Sequence, residues 1–175
     1  VSDARDLLIA SVLSPDPIIF IDDRWLYEQE DELPPVKELN LADQKPSISI
    51  KGSDITIVSS GHTSLLSREA SEILNNENIS AEVIDVRVLN PFYVNDIISS
   101  VEKTKNLLVV DSGTLTAGFS AEIISKVVEN ISIDCLLNSP KRLALPDAPA
   151  PTSRVLEKDY YIHPGDIEKK KKKVL

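Results

Sequence analysis

Leu107-Leu108-Val109-Val110-Asp111 decides the fold: four consecutive apolar residues close on an acid, with no alternation between polar and apolar positions. A strand that met water on one side would alternate, so an unbroken run marks a strand covered on both faces. Outward from it the period becomes helical. Val94, Ile97, Ile98 and Val101 share one face of a helix that Asn90-Pro91 opens, and Gly118 introduces another through Ile124, Val127 and Val128. Ala81 to Val86 is a second core strand, and the helix before it, beginning after Gly61, carries Leu66, Ala70, Ile73 and Leu74 on one face. Ser47 to Lys51 and Ile55 to Ser60 read as the two arms of a hairpin about Gly52-Ser53, which adds one antiparallel edge strand. Strand and helix alternate with short connections and the strands are too apolar to face water. This predicts a three-layer, Rossmann-like α/β fold around a mostly parallel sheet with right-handed crossovers.

The flanks read differently. Ala4, Leu7, Leu8 and Val12 form the apolar face of a helix that Ser14-Pro15 ends, and Pro17 to Ile21 reads as a buried strand. From Asp22 to Pro46 the pattern dissolves into an acidic loop with Pro34-Pro35, a linker signature. One helix and one strand cannot cover each other as an independent domain, so this part reads as the tail of an upstream domain. The absence of methionine, with Val1 first, leads to the expectation of a natural N-terminus further upstream. The expected division is 1–35 for that remnant and the start of the linker, 36–46 for the linker, and 47–175 for the main domain. Within the latter, Ile131, Ile133, Cys135 and Leu137 alternate like a strand although their position continues a helix. Lys141 to Leu145 offers a last short strand. Pro146, Pro149 and Pro151 then force an extended segment, which Tyr160, Tyr161 and Ile162 bring back to the body. Lys169 to Lys173 would cap a final helix at its negative end.

Composition bounds the function. The 175 residues include 28 acidic and 19 basic side chains, for a net charge of -9, which argues against sequence-independent binding to nucleic acid or to an anionic membrane. No apolar run approaches the ~20 residues of a membrane span. The single Cys135 excludes a disulfide within one chain and, with only two histidines, disfavours structural zinc; a reducing compartment, the cytoplasm, fits. Asn78-Ile79-Ser80 and Asn130-Ile131-Ser132 read as chance sequons, since no signal-peptide pattern stands in the given residues ahead of them.

In an open parallel sheet, ligands sit beyond the carboxyl ends of the strands. Those ends are Ser59-Ser60-Gly61-His62-Thr63, Asp85-Val86-Arg87 and Asp111-Ser112-Gly113. Neither the dinucleotide nor the P-loop glycine motif occurs. His62 is the candidate for acid–base work or for a small-molecule site, and otherwise a helix-start residue. Asp85 and Arg87 are spaced for a charge-assisted pair, structural or at an interface. Asp111 with Ser112 offers too few oxygens for calcium or magnesium. His163 reads as exposed or packed on Tyr160, and Cys135 as a small buried hydrophobe. The residues alone give a soluble α/β domain without a catalytic constellation.

A resemblance is more specific. Pro15-Asp16-Pro17-Ile18-Ile19-Phe20-Ile21-Asp22-Asp23-Arg24-Trp25-Leu26-Tyr27 resembles the segment that closes the pyrimidine-binding domain in beta subunits of 2-oxoacid dehydrogenase decarboxylase components. Gly52 to Gly61, Ile79 to Pro91, Ser100 to Thr104, Gly118 to Ile123, Asp147 to Pro151 and Leu156-Glu157 are similar to further motifs of that family, in the same order. The resemblance implies a transketolase C-terminal-like domain, in an enzyme that uses thiamine diphosphate and magnesium bound outside the part present here. It implies no catalytic, cofactor or metal residue in this chain. The partners it implies are an alpha-type decarboxylase subunit, another beta subunit and a dihydrolipoyl acyltransferase. Asp147, Glu157, Asp159 and Tyr160 form the candidate surface for the acyltransferase, salt-sensitive if so used. Departures are Asp22-Asp23 in place of the family's Glu-His, Ser120 in place of the second glycine of its G-x-G-A-E motif, and the lysine tail. By resemblance Ile131 to Leu137 would be helical. The alternatives are a split transketolase, a deoxyxylulose-phosphate-synthase-like enzyme, and a stand-alone small-molecule-binding domain built around His62.

Overall fold

A computed structural model describes residues 1–171 and 174–175, Ile133 by its backbone alone. In chain order the elements are α1 (Ser2–Leu13), β1 (Ser47–Ile50), β2 (Ile55–Ser59), α2 (His62–Asn76), β3 (Ala81–Asp85), α3 (Asn95–Thr104), β4 (Leu107–Thr114), α4 (Phe119–Asn130), β5 (Lys141–Leu145), α5 (Arg154–Tyr160) and α6 (Pro164–Lys171). The five strands lie in the order β1-β3-β2-β4-β5. β2 runs parallel to β3 and β4, and β4 to β5, while β1 is antiparallel to β3 at the edge.

The apolar run of β4 is covered on both sides. Leu108 and Val110 join Ile57, Leu66, Leu74 and Ile167 on one face of the sheet, and Leu107 and Val109 join Val58, Ile84, Ile97 and Val127 on the other. Side chains of a strand alternate between faces, so each apolar residue of β4 has a helical layer to enter. Each such fully buried Leu, Val or Ile contributes about 1.5–3 kcal/mol.

The edge strand arrives by a different route from the expected hairpin. β1 pairs with β3, not with β2, because the connection between them crosses the start of β3. There the backbone N–H groups of Ser53 and Asp54 both donate to the Ser80 carbonyl, at 3.0 and 2.9 Å, and the Ser80 N–H donates to the Asp54 carboxylate at 2.7 Å. A Cβ at Gly52 would collide with the Ala81 carbonyl carbon, so this glycine permits a close backbone crossing rather than a two-residue turn.

Other expectations are also corrected. Pro17 to Ile21 is not a buried strand: Ile19 is 89% and Ile21 76% exposed, and no described strand lies alongside to pair its backbone groups. α1 buries Asp6 and Ala10, while Leu8 and Val12 of the expected apolar face are exposed. The helix rests on the polar segment that follows, where the Arg5 guanidinium donates to the Pro34 and Pro35 carbonyls, so its polar side faces the protein. α3 begins at Asn95, after a cis Asn90-Pro91 bond and a turn that sets Phe92 edge-on to Phe119. Ile133–Cys135 is a single 3₁₀ turn, neither strand nor α-helix, and Leu137 is exposed. Lys169, Lys170 and Lys171 do occupy the last turn of α6, while Lys172 and Lys173 lie outside the described residues. Lys171 is not a solvated cap: it is buried against α2 and pairs with Glu77 and Glu168. No described helix is long and apolar enough to cross a membrane.

Candidate functional site

The carboxyl edge of the sheet is where a ligand would be sought, and the side chains there hold one another. At the end of β2, the Thr63 hydroxyl donates to the Ser60 carbonyl at 2.7 Å and lies 3.2 Å from the Val110 carbonyl, tying α2 to β4. Ser59 donates to Ser64 at 3.3 Å. Asp85, at the end of β3, is pushed above the usual carboxylate range by burial, against the pull of hydrogen bonds from the Ser64 hydroxyl and the Arg87 backbone N–H.

Asp85 and Arg87 do not form the side-chain pair their spacing suggested. The Arg87 N–H reaches Asp85 Oδ1 at 3.2 Å, but the guanidinium turns to Asp3 of α1, with Nε 2.6 Å from Oδ2 and Nη2 2.5 Å from Oδ1. It also donates to the Lys45 carbonyl at 3.3 Å. Arg87 adopts φ +63, a left-handed backbone conformation uncommon outside glycine. Asp3, 84 positions away, has no signal in the local sequence.

His62 opens α2 and is brought to Trp25, their ring centroids 5.7 Å apart and their planes nearly parallel at 15°. Trp25 also stands edge-on to Tyr161 at 6.0 Å. The contact that the fold makes for the His62 ring is thus aromatic, and among the described residues no general-base relay runs through it.

Asp111, set aside as a poor cation ligand, is a structural staple. Its Oδ1 accepts the Gly113 N–H at 2.8 Å and its Oδ2 the Ser120 N–H at 2.7 Å, closing the β4–α4 turn over the first turn of α4. A Cβ at Gly118 would collide with the Thr114 carbonyl oxygen, so this turn admits only glycine. No group of three or more His, Cys, Asp or Glu side chains that could hold a metal ion occurs among the described residues.

The four tail residues do not act alike. The Asp147 carboxylate accepts from the Thr116 hydroxyl at 2.6 Å and the Thr116 N–H at 2.9 Å, and these bonds hold it below its usual range. The Tyr160 hydroxyl donates to the Ala148 carbonyl at 2.9 Å. Asp159 and Tyr160 line an open cleft of about 700 Å³ together with Leu115, Leu143 and Leu145, whereas Glu157 is half-buried on α5. His163 is exposed, with Nε2 3.1 Å from the Lys158 carbonyl oxygen. Cys135 is only half-buried, with its sulfur 3.4 Å from the Lys105 ammonium, so it is not the enclosed hydrophobe expected.

Sequence reading missed a polar network beneath the amino ends of the strands. Glu82 is buried, and burial alone would raise its carboxyl. Hydrogen bonds from the Lys103 ammonium, Ser100 and the Gly52 N–H outweigh that and leave it below the usual range. Thr56 shares its hydroxyl with Ser100 and Thr104, each at 2.7 Å. The one available signal was a glutamate inside an otherwise apolar strand run.

Comparison with known proteins gives a consistent picture. The profile described as "Transketolase, C-terminal domain" matches residues 45–167. The beta subunit of the pyruvate dehydrogenase E1 component of Saccharomyces cerevisiae is 35% identical over 99% of this chain and 48% of its own length. Beta subunit 2 of the 2-oxoisovalerate dehydrogenase of Arabidopsis thaliana is 35% identical over 73% of this chain and 36% of its own. The pyruvate dehydrogenase E1 beta subunit of Bacillus subtilis is 31% identical over 87% and 46%. The chain thus spans about half the length, or less, of these relatives. Among solved structures, a split-gene transketolase described as an inactive beta4 tetramer superposes with a TM-score of 0.64 at 20% identity, covering 83% of this chain and 45% of that one, which speaks for the fold alone.

Proposed function

The chain belongs to the transketolase C-terminal domain family, and from that premise we propose that it is the C-terminal assembly domain of the beta subunit of a 2-oxoacid dehydrogenase. The intact enzyme decarboxylates a 2-oxoacid and passes the acyl group to a lipoyl carrier. The observation that carries this reading is that pyruvate dehydrogenase beta subunits align with 99% of the chain, α1 and the acidic loop included. The 1–35, 36–46 and 47–175 division is kept as part of the proposal.

In the intact enzyme the proposed cofactor is thiamine diphosphate with magnesium. This chain's own residues do not fit such a group. The acids of the carboxyl edge are committed to Ser120, Gly113 and Arg87 backbone N–H groups, and no described acidic cluster could take the metal. The role proposed for these residues is therefore structural. What they do is hold a rigid sheet whose edges carry an N-terminal segment tied by Arg87 and a tail built on Asp147 and Tyr160. An alpha-type subunit, a second beta subunit and the acyltransferase are the proposed partners of these surfaces. Because Asp147 and Tyr160 already bind their own chain, Glu157 and Asp159 are the acids left to meet a basic acyltransferase segment.

Calorimetry of the 175-residue chain with thiamine diphosphate and magnesium tests this reading. No saturable heat is expected, whereas the complete beta subunit joined with an alpha-type subunit should decarboxylate a 2-oxoacid. Tight cofactor binding or 2-oxoacid turnover by this chain alone overturns the proposal. Ketol transfer between sugar phosphates by the joined subunits would replace it with the transketolase reading.

A further inference from the structure

Three rings from distant parts of the chain meet over the start of α2. Trp25 lies in a 3₁₀ turn, Arg24–Leu26, whose first N–H groups are met by Asp23: its Oδ1 accepts from the Trp25 N–H at 3.1 Å. His62 is fixed as the first residue of α2. Tyr161 follows α5 directly, with its N–H bonded to the Glu157 carbonyl at 3.0 Å, and is itself edge-on to Tyr160 at 5.1 Å. All three are carried on hydrogen-bonded backbone, so the ring contacts constrain segments and not merely side chains.

The two partners of Trp25 differ in kind. His62 belongs to the packed sheet-and-helix body, whereas Tyr161 belongs to the tail that follows the proline-rich stretch. On either side of the Trp25 turn the loop is exposed, from Pro15 to Asp22 and again from Tyr27 to Glu38.

We propose that Trp25, stacked on His62 and edge-on to Tyr161, is an aromatic clasp that holds the acidic loop after α1 and the tail after α5 in place together, so that releasing either segment loosens the other. Trp25 itself is 61% exposed, so the ring contacts, rather than burial, carry the restraint. The coupling is reciprocal because both segments draw on the same ring. A partner that draws the tail away from the body would thereby free the loop, without touching it.

Trypsin cleavage after Arg24 reports the loop, cleavage after Lys158 reports the tail, and Trp25, the chain's one tryptophan, reports its own surroundings by acrylamide quenching. Tyr161→Ala should raise Arg24 cleavage, and Trp25→Ala should raise Lys158 cleavage, each by about two- to tenfold for one lost ring contact; Trp25, already 61% exposed, should show a smaller rise in quenching in Tyr161→Ala. His62→Ala should do the same at Arg24, while His62→Phe, which keeps a ring at that position, should stay near the parent rate. If Tyr161→Ala loosens the tail while Arg24 cleavage and Trp25 quenching stay at parent values, the coupling does not exist. If Tyr161→Ala fails to fold, the His62 pair decides: equal rates for His62→Ala, His62→Phe and the parent overturn the clasp.

Discussion

The Arg87 guanidinium grips the Asp3 carboxylate through two charge-assisted bonds, Nε to Oδ2 at 2.6 Å and Nη2 to Oδ1 at 2.5 Å, across 84 positions of sequence. This two-point contact joins α1 to the end of β3, and its paired geometry makes it a strong polar tie between the N-terminal segment and the sheet. Arg87 is mostly covered, Asp3 about half exposed.

Asp3→Ala should therefore free α1 without unfolding the body. Hydrogen exchange over residues 2–13 should accelerate several-fold, while the global melting transition moves by no more than a partly exposed pair contributes, about 1 kcal/mol. A large global loss with unchanged exchange in α1 would place the pair's role elsewhere. High salt should mimic the variant in part, since one side of the pair faces water.

Asp85 gives a pH signature of known sign. Burial raises its folded-state pKa above the ordinary 3.8, so in the window from 3.8 up to that raised value the unfolded chain releases its proton while the folded chain keeps it. Stability is thereby lost as pH rises through the window, and the penalty is fully present above it. Asp85→Asn removes the titration and keeps an oxygen for the Arg87 N–H. The variant should gain on the parent protein in urea unfolding as pH is raised from acid, about 3, to neutrality. A stability difference that does not vary with pH would contradict this.

Glu82 has the opposite sign. Burial opposes ionisation there, but the Lys103 ammonium, Ser100 and the Gly52 N–H together hold the carboxyl below 4.5, so its contribution is present above 4.5 and is lost as pH falls through the lowered folded value. Glu82→Gln should cost about 1–3 kcal/mol near neutrality, the range for a buried charged hydrogen bond whose partner is left half exposed. The loss should shrink in acid. Chemical denaturation at neutral pH and at about pH 3 measures both.

The β4–α4 turn should be intolerant at Gly118 and at Asp111. Gly118→Ala drives a methyl against the Thr114 carbonyl oxygen and must displace backbone; Asp111→Ala removes acceptors from the Gly113 and Ser120 N–H groups and should cost about 1–2 kcal/mol. Ser120→Ala, in contrast, should be neutral or slightly stabilising, because the buried Ser120 hydroxyl has no hydrogen-bond partner among the described residues. Thermal melts of the three variants should rank Gly118→Ala and Asp111→Ala well below the parent and Ser120→Ala level with it.

The parallel sheet was legible because burial on both faces leaves its mark residue by residue. Leu107 to Val110 had to be apolar throughout, and the helix faces at Leu66, Ala70 and Leu74 or Ile97 and Val101 had to recur at helical spacing. The same logic misled at the flanks. Pro17 to Ile21 has the composition of a covered strand, and Leu8 and Val12 that of a covered helix face, yet both stand exposed among the described residues. Apolar periodicity reports that a segment can be covered, not which surface covers it.

The sequence by itself determined the α/β class, the antiparallel edge, the family and the absence of a recognisable phosphate motif, since each rests on local composition or on motifs in order. Only the tertiary structure decided that β1 crosses to β3, that Arg87 takes Asp3 in place of Asp85, that Asp111 staples α4, and that Trp25 lies on His62 beside Tyr161. Each of these joins groups that are not neighbours in the chain. Their energies depend on distance and direction between backbones that the sheet has already positioned, and no spacing along the sequence records that geometry.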